Sequence, residues 1–179
     1  MKALSPAKAR RFLIGACLIA ALLAAWRVGG AAADLQRTAA VYQLGVDRHR
    51  EGRLDEAADA FRTTIARFPR MLEAHRRLAA VEVLRGRVDE AIGIYRELIA
   101  VYPNSHSADL HRELGFIELN AGRLEDAQTD LLRAVALDAG DWRAHQLLGQ
   151  VYQRQGDVQR ARAALQRARD LKYGLRPGL

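Results

Sequence analysis

The chain has 179 residues, 28 of them Lys or Arg and 21 Asp or Glu; half are apolar, 6% are aromatic, and one is Cys. That apolar content excludes a disordered chain, and a single Cys excludes an intrachain disulfide framework. The net charge of +7 does not mark a nucleic-acid surface, because residues 1–33 carry +5 of it and residues 34–179 only +2.

The first element is a predicted export segment at 1–33. Met1 to Arg11 is basic, and Phe12 to Trp26 runs fifteen residues without a charge, the order of an n-region and an h-region. Ala31-Ala32-Ala33 before Asp34 offers a cleavage site of the A-x-A kind. As a helix the apolar run spans about 22 Å, so an uncleaved anchor would need Val28 to Ala33 as well to cross a hydrocarbon core of roughly 30 Å. Cleaved signal and membrane anchor through residues 12–33 are both compatible with these residues. In either case the leading cations keep the N-terminus in the cytoplasm. Residues 34–179 then lie at the extracytoplasmic face of the inner membrane, or free in the periplasm. Cys17 follows Ile14-Gly15-Ala16 as in a lipoprotein box, but too little apolar bulk precedes it, and it reads as a small residue of the membrane segment.

After this segment the chain repeats itself. Gly52, Gly86, Gly122 and Gly156 recur at spacings of 34, 36 and 34. Each is followed five residues later by Ala (Ala57, Ala91, Ala127, Ala161) and four beyond that by Phe61, Tyr95, Leu131 or Leu165. Before each Gly stands Leu44-Gly45, Leu78-Ala79, Leu114-Gly115 or Leu148-Gly149, and Pro69 and Pro103 close two of the units. Columns locked in register at such a period are the sign of a repeat architecture.

These residues resemble the tetratricopeptide repeat, a pair of antiparallel helices. The resemblance implies an all-α fold, a right-handed α-solenoid, with units at 38–71, 72–105, 108–141 and 142–175 and a short tail at 176–179. The physics of the columns agrees. Gly can take the left-handed conformation that ends the first helix, and Asp-Glu-Ala (55–57, 89–91) opens the second with acids suited to its dipole. Small residues allow close helix crossing. The columns of the second helix that face the next unit are apolar in Ala58/Ile65 and Ile92/Ile99, mixed in Gln128/Val135 and cationic in Arg162/Arg169. The array is therefore expected to end by capping itself.

No G-x-S-x-G, phosphate-binding Gly loop, H-E-x-x-H or C-x-x-C occurs, so catalytic, cofactor and metal-ligand residues are expected to be absent. His75, His111 and His145 share one repeat column. Packed helices lie roughly 8–10 Å apart, too far for equivalent His to share a metal, and packing explains them better. What the resemblance implies instead is a peptide- or protein-binding groove along the first helices. By register its lining is Tyr42, Val46 and Arg50; Arg76, Val83 and Leu84; Arg112, Phe116, Leu119 and Asn120; and Arg143, Gln150 and Arg154. Apolar residues in the middle with Arg at intervals suit an acidic partner with apolar anchors. The chain thus reads as a non-catalytic scaffold for envelope or secretion machinery. Self-association is the competing reading; an enzyme or a nucleic-acid binder fits least.

Overall fold

The computed structural model describes residues 32–103 and 106–175. The basic and apolar stretch, the predicted hydrophobic helix and Cys17 lie outside these residues. No helix among the described residues is long and apolar enough to cross a membrane.

Eight α-helices and no strand occupy the described residues. They are α1 (32–50), α2 (Leu54–Arg67), α3 (Leu72–Leu84), α4 (Val88–Val101), α5 (Ser107–Asn120), α6 (Leu124–Leu137), α7 (Trp142–Arg154) and α8 (Val158–Tyr173). Odd and even helices are joined by three-residue links that make them antiparallel neighbours. Each link is built alike. Gly52, Gly86, Gly122 and Gly156 have φ between 76° and 80°. The Gly N–H donates back to the third residue before it, and the next N–H donates five residues back, as in Arg87 N–H to Glu82 O at 2.8 Å. This Schellman pair satisfies the carbonyls a helix end leaves open, and only Gly holds the left-handed φ without strain.

The second helix of each hairpin then crosses the first closely. A Cβ on Gly115 would stand 2.6 Å from Leu131 Cγ, and one on Gly149 equally close to Leu165. The missing side chain is what lets the large residue of the partner helix reach the backbone. The core is a row of clusters bridging successive hairpins. Val46, Phe61, Leu78 and Val81 form one; Tyr95, Leu98, Leu110 and Leu114 the next; Leu119, Leu131, Leu148 and Tyr152 the third. Each hairpin buries its apolar face against its neighbour, the nearest-neighbour stacking of a solenoid. At the far end Arg162 and Arg169 are exposed, whereas Ala58 and Ile92 in the column of Arg162 are buried and Ile65 and Ile99 in that of Arg169 are half-buried.

The three column histidines serve packing. His75 Nε2 meets Pro69 O at 2.9 Å and His145 Nε2 meets Ala139 O at 3.4 Å, each tying a first helix to the loop before it. His111 instead contacts Asp130 at 2.6 Å. No cluster among the described residues could hold a metal ion.

Two buried carboxyls occupy equivalent positions but differ in their surroundings. Glu82 is paired with Arg62 at 2.5 Å and Arg85 at 3.0 Å. Glu118 is fully buried, and neither carboxyl oxygen has a hydrogen-bond partner among the described residues. The nearest cation, Arg96, stands 3.6 Å away, and Ala121 occupies the column of Arg85. Burial, with Asp130 alongside, pushes the Glu118 carboxyl up to about 8.

Candidate functional site

A pocket of about 710 Å³ opens on the side of the first helices, lined mainly by α3, α5 and α7. Ala80, Val83 and Leu84 come from α3, Phe116 and Ile117 from α5, and Trp142, Gln146, Leu147 and Gln150 from α7. Three of its large apolar residues are well exposed: Val83 at 37%, Leu84 at 60% and Phe116 at 51%. They are brought together because Phe116 stands in the column of Ala80, one turn before Val83 and Leu84 on α3, and stacked hairpins align such columns along one face.

Ionic contacts fix the spacing of the first helices beneath this surface. Arg76 Nε donates to Glu113 Oε2 at 2.9 Å, joining α3 to α5. Arg112 Nη1 donates to Asp141 Oδ2 at 2.6 Å, joining α5 to the start of α7. Asp141 also caps α7, its Oδ1 accepting from Arg143 N–H at 2.9 Å. Burial raises the pKa of the Glu113 carboxyl against the opposing pull of Arg76. Burial likewise raises that of the neighbouring Tyr95 hydroxyl.

Of the residues expected from register, Val83, Leu84, Arg112, Phe116, Arg143 and Gln150 line the pocket. Tyr42 instead packs on Phe61, ring centroids 5.8 Å apart, and Arg50 pairs with Asp47 on α1. Asn120 lies exposed at the end of α5. Arg154 donates to Leu119 O at 2.6 Å. Two expectations are corrected. Val46 is buried against Phe61 and Leu78, because the second hairpin covers it, and Leu119 is buried against Val151 and Tyr152. A third concerns charge: Arg76 and Arg112 do not stand open to a partner, since both are held by carboxylates of α5 and α7.

Trp142, Leu147 and Ile117 belong to the lining without having been expected. Trp142 carried a signal, since it is an indole in the column of Leu72 and Ala108, larger than a helix start needs.

The tetratricopeptide repeat family model matches residues 42–106 and 113–174. No curated protein matches the chain by sequence. Among solved structures it is similar in fold to a crystal structure of MamA, with a TM-score of 0.67 at 20% identity over 79% of this chain and 82% of that one. A fragment of MamA from Desulfovibrio magneticus RS-1 gives 0.65 at 23% identity, covering 76% of each chain. PilF of Pseudomonas aeruginosa gives 0.62 at 23% identity, over 76% of this chain and 61% of that one. At these identities the likeness concerns the fold.

Proposed function

We propose that this chain, which belongs to the tetratricopeptide repeat family, is an exported or membrane-anchored scaffold whose groove receives a segment of another envelope or secretion protein. The observation that carries this reading is the cluster of Val83, Leu84 and Phe116, exposed together around one pocket on rigid helices. Covering the part of each side chain still exposed contributes roughly 0.5–1.5 kcal/mol, so three anchors together can support a specific complex. We read the helices as four repeats at 38–71, 72–105, 108–141 and 142–175, behind an export segment at 1–33. The family's general role as a protein-interaction scaffold, and the absence of any catalytic motif in the sequence, make the reading non-catalytic.

The test is crosslinking of tagged full-length chain in its native envelope, with the intact mass of the tagged product read in the same preparation. Capture of a defined partner, lost in Phe116→Glu while the melting curve stays put, supports the groove. Capture unaffected by Phe116→Glu refutes it. An intact N-terminus identifies an anchor, loss of residues 1–33 a cleaved signal, and recovery from the cytoplasm alone refutes export.

A further inference from the structure

We propose that the fourth hairpin ends the groove in a seat for carboxylates, so that the fitting partner is an extended peptide with apolar anchors beside acidic residues. This rests on the groove reading above and adds to it the partner's chemistry.

Trp142 and Gln146 line the apolar pocket and also an adjoining recess of about 500 Å³ between α7 and α8, so the two form one surface. The recess is walled by Arg169, Lys172 and Tyr173. The guanidinium of Arg143 lies 4.6 Å from the Trp142 ring centroid and Lys172 Nζ lies 4.9 Å from it, two cations sharing one indole. Contact with a ring positions a cation but does not neutralise it.

Among the described residues, no carboxylate lies within ion-pair distance of Arg143, Arg169 or Lys172, whereas Arg76 and Arg112 are each matched by one. The imbalance is local: residues 142–179 hold eight basic groups and two acidic ones. Both acids are engaged elsewhere, Asp157 capping α8 and Asp170 accepting from Gln166. Three neighbouring positive charges without counter-charge, bordering an apolar pocket, are complementary to carboxylates next to apolar side chains. Arg binds these in a two-bonded fork.

The experiment uses full-length chain carrying Trp26→Phe, which leaves Trp142 as the sole indole. Its fluorescence is followed during titration with an amidated Phe-Leu-Glu-Glu-Asp peptide and with the neutral Phe-Leu-Gln-Gln-Asn counterpart. The acidic peptide should bind about tenfold or more tighter at low salt, with the advantage fading as salt is added. Arg169→Gln with Lys172→Gln should erase that advantage and leave the melting curve and neutral-peptide binding in place, since both side chains are exposed and neither lines the apolar pocket. Equal binding of the two peptides overturns the carboxylate seat while leaving the apolar groove, and so does an advantage that survives the double substitution. If neither peptide binds, the seat is overturned and the groove stands or falls with the Phe116→Glu capture. Salt-sensitive self-association in sedimentation, competing with the peptide, would assign the surface to a second copy and also overturn the proposal.

Discussion

Replacing Glu118 by Gln should stabilise the protein, by an amount set by pH. The carboxyl is fully buried without a hydrogen-bond partner, and its usual value of 4.5 is pushed up to about 8 by burial, then by Asp130 and Asp126 and against the pull of Arg96. A raised folded-state value means that the unfolded chain releases this proton first as pH rises. The stability the neutral form contributes is complete below 4.5 and is lost progressively until about 8. Each pH unit in that window costs about 1.4 kcal/mol, so at pH 7 the native residue forgoes roughly 3 kcal/mol. Gln keeps the shape of the protonated acid, offers an N–H towards Asp130 and has no proton to lose. Glu118→Gln should match the native chain near pH 4.5 and exceed it by roughly 2–3 kcal/mol at pH 7, a rise in Tm of roughly 5–10 °C. Urea unfolding followed by circular dichroism across this range measures the difference. A Gln variant that is less stable at pH 7, or whose advantage does not change with pH, would refute the reasoning. Glu82→Gln is the contrast: its carboxylate holds Arg62 and Arg85, and its loss should cost about 1.5–3 kcal/mol.

Gly115→Ala places a Cβ against Leu131 and 3.3 Å from Ala127 O, and should lower unfolding free energy by about 1–3 kcal/mol in the same assay. Ala91→Leu overfills a fully buried helix crossing and should cost a similar 1–3 kcal/mol or more; an unchanged Tm would mean the repeat register is misassigned. Arg112→Glu should also destabilise, because it sets a carboxylate against Asp141 and Asp109; a wild-type melt for this variant would refute the pairing.

The helices, their links and the close crossings were legible in the sequence because each depends on a local requirement that a single residue type meets. A left-handed link needs Gly, and a crossing needs Gly or Ala. The groove was legible only in its middle. Val83, Leu84 and Phe116 follow from column position, but Val46 and Leu119 in equivalent columns are covered by the neighbouring hairpin, and register alone does not encode how far that cover extends. Charge was least legible. Spacing alone leaves Arg76 and Arg112 available, whereas Glu113 and Asp141 stand beside them, since ion pairs 37 and 29 residues apart depend on rotamers that spacing does not specify. Glu118 and Glu82 share one repeat column, and the sequence difference beside them is Ala121 in the place of Arg85.

The two ionic struts, Arg76 to Glu113 and Arg112 to Asp141, make the gap between neighbouring first helices a calibrated width. Because Asp141 also starts α7, the helix cannot drift from α5 without loosening its own first turn. A change at Asp141 therefore acts on the spacing of α5 and α7 and on the first turn of α7 at once.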